Sequence, residues 1–261
     1  GNNKEELRQT AQKLQKTFKK IDWLSDKDLH QLLKKTYKSR ITELKLQLKE
    51  PLKEIEQDVH ELRRDAILDV AAQCFADRSF AAATMKDIAD ACGTSKARLY
   101  HYYPSKEAIL FDLLDRYTLR LLALVGEVEA QAQRERLNER DAMHELVRAF
   151  LREYEHSATR HVALLGDTKF LGGDGDDAQR ELILRRQRDL VAAFTRFIGR
   201  AYPLASNESS GTAITMMLFG MINWTFTWLR PDGAMRYTDF AELVVGMLEH
   251  GLGGWPQPAR T

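Results

Sequence analysis

The residues between positions 84 and 106 combine hydrogen-bond donors with the signature of a tight turn. Lysine and arginine side chains can donate to O6 and N7 of guanine, and hydroxyl groups suit phosphate oxygens. Lys96 and Arg98 are candidates for base edges, and Ala97 is small enough to allow a close approach. The full set of predicted contact residues is Thr84, Thr94, Ser95, Lys96, Ala97, Arg98, Tyr100, His101, Tyr102 and Lys106.

Two short helices must hold these donors. Thr84 and Asp87 have the spacing of a capping pair at the start of the first helix. Gly93 stands where the chain reverses through a left-handed conformation, and Thr94 or Ser95 can cap the second helix. The apolar positions between them face inward. The pattern predicts a helix-turn-helix whose second helix enters the DNA major groove.

The charge distribution shows that any DNA contact must be local. Net charge is +1 for the whole chain, and residues 61–104 hold six basic and six acidic residues. The span from Thr84 to Lys106 holds four basic residues against Asp87 and Asp90. A broadly basic surface is therefore excluded, and phosphate binding has to rest on a few donors.

The run from Thr84 to Ile109 resembles the DNA-binding domain of the TetR family of bacterial repressors. The family pattern has a helix begun by threonine, an Ala-x-x-x-Gly-x-Ser turn, a Leu-Tyr pair and a Lys-Glu pair. This chain carries Ala89 to Gly93, Leu99-Tyr100 and Lys106-Glu107, with Ala97 where the family has glycine. The match covers about 50 residues, from Arg63 to Asp112. It implies a dimeric repressor of double-stranded operator DNA that a small molecule releases.

Helical periodicity predicts an all-α protein. Beyond the DNA-binding segment, helices are expected at 105–130, 140–158, 160–166, 178–201, 206–230 and 237–251. We expect three parts: a lysine-rich extension or fused module at 1–60, a DNA-binding domain at 61–106, and a ligand-binding and dimerisation domain at 107–261. The helix that begins after Ser105 runs from the DNA-binding domain into the ligand-binding domain, so we expect it to transmit conformational changes between them.

The C-terminal domain resembles those TetR-like regulators that sense acyl-CoA thioesters. The segment from Phe219 to Gly233 carries this resemblance. Trp224 and Trp228 lie one turn apart and could flank an acyl or adenine group, and arginines could pair with CoA phosphates. The alternative is that the tryptophans are core residues and the arginines solvated. The candidate ligand residues are Arg120, Phe150, Tyr154, Trp224, Trp228 and Arg230, with Arg148, Arg152, Phe194 and Phe197 as additional ones.

Two apolar stripes predict a homodimer interface on the last helices. They comprise Met216, Phe219, Gly220 and Asn223, and Phe240, Val244, Met247 and Leu248. A two-fold dimer would match a palindromic operator, with recognition helices about 34–36 Å apart. Asn223 and several threonines in the apolar segment Ala213–Leu229 favour a buried helix over a membrane span.

The composition changes near residue 55. Residues 1–53 hold twelve lysines and two arginines, whereas residues 54–261 hold four and twenty-one. Folding does not require this change, so we hypothesise that the first 60 residues were fused to the rest. Partner binding, a rigid fused module and a solvated extension remain alternatives for their role. Three helices are expected there, with Pro51 kinking or restarting the third. Their apolar stripes are Leu7, Ala11, Leu14, Phe18 and Ile21; Leu29, Leu32, Leu33 and Tyr37; and Ile41, Leu44, Leu48, Leu52, Ile55, Val59 and Leu62.

An enzyme is disfavoured. The sequence contains no G-x-S-x-G, Walker A or HExxH motif, and the seven histidines are scattered. We expect no catalytic residues, no metal and no other cofactor. The two cysteines, Cys74 and Cys92, form no CxxC pair, which indicates reduced thiols in a cytoplasmic protein.

Overall fold

The computed structural model describes residues 26–172, 177–203, 208–230 and 232–252, and all regular elements among them are helical. The helices are α1 (Asp26–Arg78), α2 (Met85–Ala91), α3 (Lys96–Tyr102), α4 (Lys106–Glu135), α5 (Glu139–His156), α6 (Ala158–Gly166), α7 (Asp177–Ala201), α8 (Glu208–Asn223), α9 (Thr225–Trp228) and α10 (Tyr237–Met247). A 3₁₀ turn at Thr168–Phe170 and a π-helical turn at Leu248–Leu252 complete the described elements. The all-α prediction is confirmed.

Chain contacts divide the protein into two units, Gly1–Leu62 and Arg63–Thr261. The predicted second and third helices are one helix, α1, and the predicted restart at Pro51 is wrong because α1 continues through this residue. The 53 residues of α1 contain no glycine and only this one proline, so nothing favours a turn. The first predicted helix, with Leu7 to Ile21, lies outside the described residues.

The N-terminal part of α1 exposes much of its apolar stripe. Ile41 is 50% exposed and Leu62 is 68% exposed, and Tyr37, Leu44 and Val59 are also exposed. These five side chains therefore lie on an exposed face of α1.

The second unit has one hydrophobic core built around α4, α5 and α7. α4 packs against α5 and α7, α7 packs against α8, and α5 packs against α10. Phe150 and Phe194 meet edge to face at 4.7 Å between ring centroids, and both are fully buried. Edge-to-face packing suits the charge distribution of aromatic rings. The core therefore fixes the positions of the helices that carry the candidate sites.

Local signals explain the helix ends. The Ser105 hydroxyl accepts a hydrogen bond from the backbone N–H of Ala108 and caps α4, as predicted. The predicted helix 206–230 differs from the structure, because α8 ends at Asn223 and α9 starts again at Thr225. The Thr225 hydroxyl donates to the carbonyl of Ile222, which supports the bend. No helix in the described ranges has the length and apolar character that a membrane span requires.

Candidate nucleic-acid interface

A capping box begins α2. The Thr84 hydroxyl accepts a hydrogen bond from the Asp87 backbone N–H at 3.2 Å, and the Asp87 carboxylate accepts one from the Thr84 backbone N–H at 3.0 Å. Arg78 also pairs with this carboxylate at 2.8 Å. The hydrogen bonds from Thr84 and the nearby cations hold the pKa of Asp87 below its usual value. The predicted cap is confirmed, and Thr84 lies exposed at its end.

The turn between α2 and α3 has the predicted left-handed glycine. Gly93 has φ of +63°, a conformation that residues with a Cβ adopt at a cost. The Thr94 backbone N–H donates to the carbonyl of Ala89 and closes the turn. Ser95 then caps α3, because its hydroxyl accepts from the backbone N–H of Arg98 at 3.1 Å. These contacts fix the direction in which α3 leaves the domain.

Helix α3 has one buried face and one exposed face. Leu99 is fully buried and anchors the helix on the domain core. The opposite side carries exposed residues, which are Lys96, Ala97, Arg98, Tyr100 and His101. The Lys96 ammonium lies 5.6 Å from the centroid of the Tyr100 ring. This face presents the predicted donors together on one exposed surface.

Two predicted residues are placed differently. The ammonium of Lys106 donates to three backbone carbonyls, those of Phe80, Ala81 and Ala83, at 2.8–3.2 Å. It also lies 4.6 Å from the centre of the Phe80 ring. Lys106 therefore holds the loop before α2 in place rather than offering its charge to phosphate. Tyr102, expected to be exposed, is half-buried.

A shallow open cleft of about 330 Å³ runs beside α3. Thr94, Arg98 and Tyr102 line it together with Arg63 from α1. Arg63 is exposed and donates to the Tyr102 hydroxyl at 3.4 Å. Sequence reasoning missed Arg63, although it stands at the start of the segment that matches the family pattern. Its position adds a cation to the face that carries Arg98.

A polar network fixes the end of α3 to α1 and α4. Arg64 and the Tyr103 hydroxyl both donate to the carboxylate of Asp112, at 2.7 and 2.5 Å. Arg116 joins Asp112 to Asp65 with contacts of 3.0 and 3.1 Å. Burial acts to raise the pKa of Asp112, but the Tyr103 and Arg116 hydrogen bonds and the arginine charges bring it below its usual value. The Asp112 carboxylate is therefore ionised near neutral pH and links the end of α3 to α1 and α4.

Comparison with known proteins supports this geometry. The family model "Bacterial regulatory proteins, tetR family" matches residues 67–113, and the model "Tetracyclin repressor-like, C-terminal domain" matches residues 136–252. The transcriptional activator FasR of Mycolicibacterium smegmatis is 34% identical over 192 residues, which cover 74% of this chain and 82% of FasR. The chain belongs to the TetR family of transcriptional regulators.

Solved structures agree with this membership. A TetR-family transcriptional regulator from Bordetella parapertussis is 34% identical, with a TM-score of 0.66, over 75% of this chain and 98% of that one. AibR, solved with isovaleryl coenzyme A and operator DNA, is 27% identical with a TM-score of 0.57, over 71% of this chain and 97% of AibR. The first curated relatives are repressors, and the chain spans only 33% and 25% of their lengths.

The arginines predicted to bind phosphates in this TetR-family chain are already paired. Arg120 donates to Glu127 at 2.6 Å and to Glu153 at 3.2 Å. Arg148 holds the Glu242 carboxylate at 2.6 and 2.9 Å, and Arg152 binds Glu145 at 2.6 Å. Arg230 is exposed at the end of α9. A phosphate would have to displace a carboxylate from the first three arginines.

The aromatic candidates separate into two groups. Phe150, Phe194 and Phe197 are fully buried core residues. Trp224 and Trp228, in contrast, are 61% and 52% exposed, so the alternative that they are core residues is wrong for both. Trp228 meets Phe240 edge to face at 5.2 Å. The tryptophans therefore belong to the surface of α8 and α9.

Tyr154 lies in a buried cluster that the sequence did not indicate. Its hydroxyl donates to the side-chain oxygen of Asn223 at 3.0 Å, and its ring stacks on His161 at 3.7 Å between centroids. Tyr117 and Phe226 approach the same histidine ring edge-on, at 6.2 and 6.5 Å. Helix periodicity places Tyr117 and His161 inward but does not show that α4 and α6 bring them together.

Proposed function

We propose that the protein is a ligand-responsive transcriptional repressor that binds a palindromic operator as a homodimer. The observation that carries this proposal is the exposed face of α3, where Lys96, Ala97, Arg98 and Tyr100 stand over the buried anchor Leu99. A short helix with basic and hydroxyl groups on one face suits the major groove. Arg63 and Thr84 are suited to the flanking phosphates.

We further propose the domain limits 61–106 for DNA binding and 107–261 for ligand binding and dimerisation. The dimer proposal is supported by apolar side chains exposed on α8 and α10, of which Met217 is 69% exposed and Met247 is 61% exposed. Met216, Trp224 and Leu243 are exposed as well, whereas Phe219, Val244 and Leu248 of the predicted stripes are buried within the chain. Contiguous exposed apolar surface is typical of protein interfaces. A second copy would cover them by two-fold pairing.

An acyl-CoA thioester is the effector class we propose. Its support is the similarity to AibR, which was solved with isovaleryl coenzyme A. Exposed Trp224 and Trp228 can flank an adenine or acyl group, and Arg230 is available for a phosphate. Effector binding would favour a conformation whose recognition helices are wrongly spaced for the operator. The coupling is reciprocal, so DNA binding would weaken effector binding by the same factor.

The test uses a duplex selected from a random library by repeated binding to the protein. Isovaleryl-CoA is then titrated into the complex while fluorescence anisotropy of the labelled duplex is measured. We expect a sequence-selective duplex to be found and to be released by the thioester but not by free coenzyme A. Retention of the duplex at saturating thioester would refute the effector class and leave DNA binding standing.

A second candidate concerns residues 1–60 alone. The change from lysine to arginine near residue 55 favours a foreign helical module joined to a TetR-family regulator. Both matching family models begin beyond this segment, at residues 67 and 136. If residues 1–60 are a foreign module, they add their own function and leave the DNA-binding surface unchanged.

A further inference from the structure

Three buried polar atoms stand out in the part of the chain that the structure describes. The hydroxyl of Tyr117 has no hydrogen-bond partner, and the ring nitrogens of His161 have none of normal geometry, although the backbone of Asn223 approaches the imidazole. Tyr117 on α4 is 1% exposed and His161 on α6 is 2% exposed. Buried polar groups in native proteins are nearly always satisfied, because desolvation without a partner is unfavourable. Two such residues in ring contact require an explanation.

The surroundings of the pair are aromatic. Tyr154 covers one face of the His161 ring, and Phe226 and Tyr117 meet it edge-on. Burial lowers the pKa of His161 to about 4, and the nearby backbone of Asn223 opposes this only partly. The imidazole is therefore neutral near pH 7 and offers one donor and one acceptor. A charged ligand would lose its hydration here without a counter-charge.

An open cleft of about 650 Å³ lies beside α5 and α6, the helices that carry Tyr154 and His161. Glu153 and Arg160, their neighbours in the chain, line it together with Arg120 and Ser157. Tyr117 and His161 are buried and are not among its lining residues, so the pair would become accessible only when neighbouring side chains move.

We infer that Tyr117 and His161 form the polar end of an effector site that takes an uncharged, mainly apolar group bearing one carbonyl or hydroxyl oxygen. The inference rests on the proposed ligand-responsive function and names the chemistry of its site. A ring or acyl chain would pack against Tyr154 and Phe226, and its oxygen would bond to the Tyr117 hydroxyl and the His161 imidazole. The unsatisfied pair would gain its missing partners only when the ligand binds.

Helix α6 connects this site to the DNA-binding domain. Arg160, the neighbour of His161, donates to the carboxylate of Asp69 on α1 at 3.0 and 2.6 Å. Asp69 lies between Arg63 and Arg78, in the first helix of the DNA-binding domain. A ligand that moves His161 would therefore shift this ion pair and the helix that carries Arg63.

The first test compares Tyr117→Phe with Tyr154→Phe in the full chain, without ligand, by thermal unfolding. Tyr154→Phe removes the hydrogen bond to Asn223 and should lower Tm by about 2–4 °C. Tyr117→Phe removes an unsatisfied hydroxyl, so its Tm should equal or exceed that of the wild type. A Tyr117→Phe protein as unstable as Tyr154→Phe would show that the hydroxyl is already satisfied and would overturn the inference.

The second test measures the Tm shift that acetophenone, p-cresol and benzoate cause. The neutral ketone or phenol should stabilise the wild type, benzoate should not, and Tyr117→Phe should lose the shift. An equal shift with benzoate, an undiminished shift in Tyr117→Phe, or no shift with either neutral probe would overturn the inference. Failure of the wild type to bind any duplex would count against the proposed function instead.

Discussion

At the residue scale, His161 links burial to a measurable pH dependence. Burial lowers its pKa from 6.5 to about 4 in the folded chain. Between pH 6.5 and about pH 4, the unfolded chain therefore binds this proton while the folded chain largely does not. The contribution of His161 to the free energy of unfolding is therefore fully present above pH 6.5. It falls as the pH drops from 6.5 to about 4 and does not change further below that.

We predict that His161→Phe removes this component of the acid sensitivity. The wild type should lose about 1 kcal/mol more unfolding free energy than the variant between about pH 7.5 and about pH 5.5. Urea unfolding at both pH values measures the difference. Identical losses in the two proteins would show that His161 is protonated in the folded state.

Single residues also show the limits of sequence reasoning. Spacing placed Lys96, Arg98 and Tyr100 on an exposed face because helix periodicity fixes direction relative to the buried Leu99. It could not show that the Lys106 ammonium reaches three carbonyls of the preceding loop. The pairing of Tyr117 with His161 was equally inaccessible, because it depends on how α4 and α6 pack.

At the element scale, the turn between α2 and α3 depends on backbone conformation. A Cβ at Gly93 meets no atom within 4 Å, so space does not oppose a side chain there. The positive φ does oppose it. Gly126 is a useful comparison, because it lies exposed within α4, a Cβ there also meets nothing within 4 Å, and its φ is ordinary.

We predict opposite effects from the same substitution at these two glycines. Gly93→Ala should lower the free energy of unfolding by about 1 kcal/mol because of backbone strain. Gly126→Ala should raise it by about 0.5–1 kcal/mol because alanine stabilises a helix relative to glycine. Chemical denaturation measures both. A Gly93→Ala protein as stable as the wild type would contradict the turn geometry.

Helix ends were predictable where a side chain contacts its own backbone. Thr84, Ser95 and Ser105 cap the helices that follow them, and short-range spacing is enough to recognise such caps. The continuity of α1 was not predicted, because two separate apolar stripes favoured two helices and Pro51 favoured a kink or a restart. The interruption between α8 and α9 was not predicted, because Gly220 lies one turn before it and the apolar periodicity continues through Trp224.

At the scale of the whole molecule, a nearly neutral chain has to bind a polyanion. Net charge is +1, and Lys86 and Arg78 of the DNA-binding segment are paired with Asp90 and Asp87. In the complex that we propose, the affinity of one copy for DNA would rest on few cations, among them Lys96 and Arg98. Two copies on a palindromic site would double these contacts, which makes dimerisation part of the recognition we propose.

The most direct test measures the binding of Lys96→Ala to the selected duplex by fluorescence anisotropy. Arg196→Ala, which removes one exposed charge from α7, serves as the control. We predict that the wild type binds as two chains per duplex, that Lys96→Ala binds about 10-fold more weakly with an unchanged Tm, and that Arg196→Ala binds as the wild type does. Wild-type affinity in Lys96→Ala, or equal weakening in both variants, would contradict recognition through α3.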